Sequence, residues 1–128
     1  MTKRTRQIIM LAAAGLAILS TWACKTPSFP LPPPDPEQLD IQPYSEDGFM
    51  VMNGAAGVVA PNAEVRIFND TKGFGYFFYA DDQGGFRSPP VAADPGDRMH
   101  LSYRQGDDSS RPMCFIVDYG AQDLVLCQ

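Results

Sequence analysis

Basic residues are scarce in this 128-residue chain: ten Lys and Arg stand against fifteen Asp and Glu, for a formal net charge of −5. A chain of that sign repels phosphate, which argues against a nucleic-acid partner. Histidine occurs once, as His100, and the three cysteines include no CxxC pair. A zinc ligand set and a dithiol redox motif are therefore both missing. The calcium-loop spacing DxDxDG and the GxSxG nucleophile elbow are absent as well, and no spacing singles out Ser88, Ser102, Ser109 or Ser110 as a partner for His100. The expectation is a protein that is not an enzyme and holds no cofactor and no metal. No window longer than ten residues keeps a 3.6-residue apolar period free of Gly and Pro, so helix is at most a minor component. The longest apolar run, Ile8 to Leu19, is also too short for a membrane span, which takes about 20 residues.

That run is nevertheless informative where it stands. Lys3, Arg4 and Arg6 precede it without an acid among them, and Thr21-Trp22-Ala23-Cys24 follows it. A basic n-region, an apolar h-region and a small residue at the end form an export signal over residues 1–23. Two processing routes are open. In one, an ordinary signal peptidase cuts after Ala23 and leaves Cys24 as a free thiol. In the other, the site resembles that of bacterial lipoproteins, with small Ala23 directly before the cysteine, and the resemblance implies that Cys24 becomes the lipid-bearing N-terminus.

Cysteine arithmetic favours the second route. An exported protein with three cysteines has an odd one to explain, and assigning Cys24 to lipid leaves Cys114 and Cys127 to pair as a structural disulfide. Lys25 to Asp40 then carries prolines at 27, 30, 32, 33, 34 and 36. Such a segment favours extended polyproline II, and at about 3.1 Å per residue it would hold a domain roughly 40 to 50 Å from its attachment point. Residues 24–40 are accordingly read as a tether. An unstructured leader or a ligand for a proline-binding groove are the plain alternatives. Processing would also remove three basic residues, so any membrane association has to come from the lipid rather than from the domain's charge.

Residues 41–128 read as a small all-β domain. Short apolar or aromatic runs at 49–52, 63–68, 74–80, 85–87, 98–104, 113–119 and 123–127 are separated by turn residues with no helical segments between them. Ala63, Val65 and Ile67 alternate with Glu64 and Arg66. Met99, Leu101 and Tyr103 alternate with Arg98, His100, Ser102 and Arg104. Pro61-Asn62, Asp82-Gln83-Gly84-Gly85 and Pro95-Gly96 suit tight turns. About seven strands of this length predict a sandwich of two antiparallel sheets.

The stretch from Asn53 to Asn69, then Ala80-Asp81-Asp82-Gln83-Gly84-Gly85-Phe86, then Pro95-Gly96-Asp97, resembles the bacterial immunoglobulin-like and carboxypeptidase-regulatory-like modules of surface proteins. It follows their order of G-x-a-x-P-x-a-x-V, a-D-x-x-G-x-F and G-D. The likeness covers residues 48–104 and leaves out the cysteine-bearing tail. It implies an Ig-like β-sandwich, and because these motifs mark turns it implies little about function.

One segment exceeds what a scaffold requires. In Phe74-Gly75-Tyr76-Phe77-Phe78-Tyr79, Phe74, Tyr76 and Phe78 share one face of a strand while Phe77 and Tyr79 share the other. Only one face can be core, unless the tether or the tail covers the second. Phe74, Tyr76 and Phe78 are taken as candidate ligand-binding aromatics, able to stack on a sugar or dock a protein. The acid pairs Asp81-Asp82, Asp94/Asp97 and Asp107-Asp108 read as solvated turn residues. The expected protein is thus an exported, lipid-anchored envelope component with a protein partner, or alternatively a glycan- or peptidoglycan-binding module.

Overall fold

The computed structural model describes residues 30–128, so the export signal, Cys24 and the first part of the tether lie outside the described residues. Ten strands occupy this region: β1 (Leu39–Pro43), β2 (Phe49–Gly54), β3 (Glu64–Asn69), β4 (Phe74–Tyr79), β5 (Phe86–Arg87), β6 (Val91–Ala92), β7 (Arg98–Gln105), β8 (Asp108–Ser109), β9 (Met113–Ile116) and β10 (Val125–Leu126). They form two antiparallel sheets. In one, β2 pairs with β1 on one side and with β5 and β6 on the other; the second runs β10-β9-β7-β3-β4, with β8 folded back on β7. The predicted all-β sandwich is present. Among the described residues no helix is long and apolar enough to cross a membrane.

The alternation of β3 and β7 places the second sheet. Val65 and Ile67 lie opposite Tyr103 and Leu101, and all four are buried. Residues opposite one another in an antiparallel pair share a face, so this row fixes which side of the sheet is core. Phe115 of β9 joins it, and Met50 and Met52 of β2 close it from the other sheet. Methionines also contribute at 99 and 113; the unbranched thioether fills the uneven space between two short, twisted sheets.

Three tight turns hold the strands in this order. Ala63 N donates to Ala60 O at 3.1 Å, with Pro61 at the second position and Asn62 in the left-handed region at φ 57. Asp97 N donates to Asp94 O at 3.0 Å around Pro95 and Gly96, whose φ of 92 is that of a type II turn. Gly84 N donates to Asp81 O at 3.2 Å, and the Asp81 carboxylate accepts from the backbone of Gln83 and Gly85.

Pro89-Pro90 interrupts the strand that borders β2 and splits it into β5 and β6. Ser88 repairs the gap: its hydroxyl accepts from Met52 N at 2.8 Å, and its own N–H donates to Met52 O. Ser110 does the same for β7, accepting from Tyr103 N at 2.9 Å. Both serines are buried ladder elements.

The folded unit begins upstream of Ile41. β1 starts at Leu39, and all five of its residues pair with β2. Leu31 donates to Ser109 O, accepts from Arg111 N and forms a parallel bridge with Ser110, while Pro34 is fully buried. Polyproline II and β dihedrals are close, so a proline-rich stretch can lie along a sheet wherever one non-proline residue supplies the hydrogen bonds. Leu31 is that residue.

The disulfide between Cys114 and Cys127 is formed as the pairing argument requires. It fastens β10, whose ladder with β9 is just two residues long, Val125 and Leu126. Reduction is expected to cost about 3 kcal/mol in the chain-entropy model and to release this last strand first. The Cys127 amide, which donates to Cys114 O at 3.1 Å, should then exchange with solvent far faster than the amides of β7. Hydrogen exchange with and without a reductant checks this.

Candidate functional site: an aromatic outer face

Register decides which aromatics of β4 are free. Phe78 lies opposite Val65 and Tyr76 opposite Ile67, so both point to the core side. Phe78 packs on Phe86 with ring centroids 5.3 Å apart, and the Tyr76 hydroxyl accepts from Ala92 N at 3.4 Å. Phe74, at the start of the strand, sets its ring edge-on to Tyr76 at 5.9 Å and stays partly exposed. Of the three candidate aromatics, Tyr76 and Phe78 therefore belong to the inner layer, and Phe74 is exposed at the start of the strand. The outward rings are Phe77 and Tyr79, 66% and 68% exposed, joined by Phe68 of β3 at 44%.

Phe68 and Phe77 border an open groove of about 490 Å3 on the outer face of the second sheet. Across its floor run Phe68 and, directly opposite, Gly75. A Cβ at position 75 would stand 2.9 Å from both Phe68 Cδ2 and Ile67 O, so the glycine is what lets the Phe68 ring lie down over β4. An aromatic covering a cross-strand glycine shields backbone that would otherwise be bare. Phe77 flanks the ring on one side and His100 on the other.

The charges around the groove are internally matched. Arg66 bonds Glu64 at 3.0 Å on the same strand, and the His100 Nδ1 lies 2.6 Å from the Asp70 carboxylate, which Arg98 also approaches at 3.7 Å. The imidazole's partner is thus a carboxylate and not a serine hydroxyl. What remains for a ligand is apolar ring surface with neutralised polar rims, a chemistry of stacking and packing.

Of the acid pair Asp94/Asp97, Asp94 is an exposed turn residue as expected, whereas Asp97 is not solvated but a structural joint. Asp97 is buried; it accepts from the Asn69 side-chain amide at 2.9 Å and from Asp94 N at 2.9 Å, with Lys72 Nζ at 3.8 Å. Lys72 bonds Asp94 at 2.6 Å. Among the described residues no cluster of three or more His, Cys, Asp or Glu is arranged for a metal ion.

A hairpin argument would have found the exposed rings. With Ala63, Val65 and Ile67 inward on β3, a four-residue loop after Asn69 puts Tyr76 and Phe78 inward too, and leaves Phe77 and Tyr79 outside. Comparison with family models, curated proteins and solved structures returned no match for this chain.

Proposed function

We propose that this chain is a non-catalytic, lipid-anchored component of a bacterial envelope, an Ig-like module that makes assembly or adhesion contacts through the outer face of its second sheet. The observation that carries the contact surface is the exposure of Phe77 and Tyr79 on an uncharged strand, in a sandwich whose core is closed without them. The sequence supports the anchor through Lys3, Arg4 and Arg6, the apolar run and Cys24. With Leu31 fixed to the domain, only seven residue steps separate it from Cys24. At no more than about 3.6 Å per residue, the module stands within roughly 25 Å of the lipid, closer than a free tether of residues 24–40 would place it.

A second reading, glycan or peptidoglycan binding, is favoured by the ring-lined groove: a sugar's apolar face stacks on aromatics, and Arg66, Glu64 and His100 supply polar edges. Intact mass of the protein extracted from its native membrane tests the anchor. The expected species is residues 24–128 bearing diacylglycerol and an acyl chain, gaining two hydrogens on reduction. A mature chain without lipid in the soluble fraction, or a Cys24→Ala variant that is still processed and membrane-bound, would refute it.

A further inference from the structure

Among the described residues no strand pairs with the outer edge of β4, and that edge has no part in the contacts described so far. Sheet edges are templates for a further strand, and proteins usually blunt them with charge, proline or brevity. The other edges here are blunted in those ways: β1 carries Asp40 and Pro43, β10 has two residues and a disulfide, and Pro89-Pro90 divides β5 from β6. β4 has six residues, Phe74–Tyr79, with neither charge nor proline, and among the described residues it ends its sheet. Ala80 N donates to Ala63 O across the β3 pairing, so by antiparallel alternation the even-numbered residues bond β3, and the N–H and C=O of residues 75, 77 and 79 point to the open side.

The geometry points to a second copy of this chain as the occupant of that edge, paired antiparallel about a two-fold axis at Phe77. In this register every position finds a complement. Phe77 meets its own image. Tyr79 lies opposite the partner's Gly75, the one position in the strand with no side chain, where its ring meets the edge of the Phe68 ring that already covers that glycine. On the core side Tyr76 meets Phe78. The outward-pointing backbone groups pair at 75 with 79, 77 with 77, and 79 with 75, each pair exchanging two hydrogen bonds. A two-fold pairing of this kind closes on itself and does not propagate.

Charge argues for the same occupant. Two copies of a chain with net charge −5 repel wherever acidic surfaces meet, and β4 is an uncharged strip where contact avoids that cost. Covering Phe77, Tyr79 and the strand edge removes on the order of 500 Å2 per copy from water, about 1,000 Å2 in total, which is below the roughly 1,200 Å2 of stable interfaces and in the range of weak, transient ones. A weak, reversible dimer follows. Its geometry is independent of the proposed anchor, but its occupancy rests on that anchor, because confinement to one membrane raises the effective concentration.

The test uses the full-length chain in detergent and in vesicles. Phe77→Cys is expected to form a covalent dimer on mild oxidation, at least tenfold more than Tyr79→Cys, whose thiols stand apart in this register; Phe77→Lys should weaken association more than tenfold in sedimentation. Phe77 is exposed, so an unchanged thermal melt confirms that each variant folds. A chain that stays monomeric to about 100 μM, with no covalent dimer from Phe77→Cys, overturns the proposal, as does a dimer that Phe77→Lys leaves intact. If such a monomer binds peptidoglycan and loses that binding in Phe77→Lys, the second copy falls while the contact surface stands. If the dimer holds and the native protein carries no lipid, the anchor falls and the pairing stands.

Discussion

Gly84→Ala is expected to destabilise the domain by about 3 kcal/mol or more, a large share of the 5 to 15 kcal/mol typical of a small domain. Two costs coincide at this position. Its φ is +78, a region that L side chains enter at roughly 1 to 2 kcal/mol. A Cβ would also come within 2.1 Å of Val59 O, which is backbone and cannot rotate away. The close approach exists because two loops are stitched together there: Val59 N donates to Gly84 O at 3.2 Å and Gly57 N to Gln83 O at 2.8 Å. Adding a methyl must part them. Gly57 provides the control, since its φ is +85 but a Cβ would meet nothing within 4 Å, so Gly57→Ala should cost only about 1 kcal/mol. Urea denaturation of both variants checks the ordering; equal costs would mean that the clash relaxes freely and that backbone strain alone sets the effect.

The same turn shows why much of this fold was legible in the sequence. Gly84, Gly96 and Asn62 occupy the positive-φ positions that their turns require, and such residues are local signals that need no knowledge of distant partners. β3 and β7 were equally legible, because alternation survives in a strand with one solvated face. The misses were tertiary in origin. β1 carries Asp40, Gln42 and Pro43 and has little apolar pattern; it is a strand because β2 lies beside it from Met50 to Gly54. Leu31 and Pro34 belong to the folded unit through contacts with residues near 110, which no window of the chain displays. Ser88 reads as an ordinary loop residue until the proline-broken ladder around it is seen.

The aromatic strand marks the boundary between the two kinds of information. Its composition announced surplus rings, but period two alone leaves the choice of face to the register with β3. That register runs from Asn69 opposite Phe74 to Glu64 opposite Tyr79, and a slip of one residue would have exchanged the two faces. The exposed surface consequently belongs to Phe77 and Tyr79, and the groove beside them includes Phe68 and His100, which pattern alone assigns to separate strands.

Asn69→Ala is the second large effect, expected at about 3 to 4 kcal/mol at neutral pH. Asn69 is fully buried, and it holds three partners: its amide donates to Ala92 O at 3.1 Å and to Asp97 Oδ2 at 2.9 Å, and its carbonyl accepts from Lys72 N at 2.9 Å. Truncation leaves a buried carboxylate short of a donor, which is costlier than the loss of a neutral pair. Burial pushes the Asp97 carboxyl up, but the Asn69 amide, the Asp94 N–H and the Lys72 ammonium outweigh it and hold the group below its ordinary value. A depressed carboxylate contributes stability that is present above the unfolded value, near pH 4, and lost as pH falls through the folded one. The wild type should therefore weaken on acidification below about pH 4. The deficit of Asn69→Ala should shrink over the same range, because a protonated Asp97 no longer needs the amide to offset a buried charge. Denaturation curves for both proteins at pH 7 and pH 3 measure it. A deficit that stays constant between the two would locate the cost in the contacts to Ala92 and Lys72 and remove Asp97 from the account.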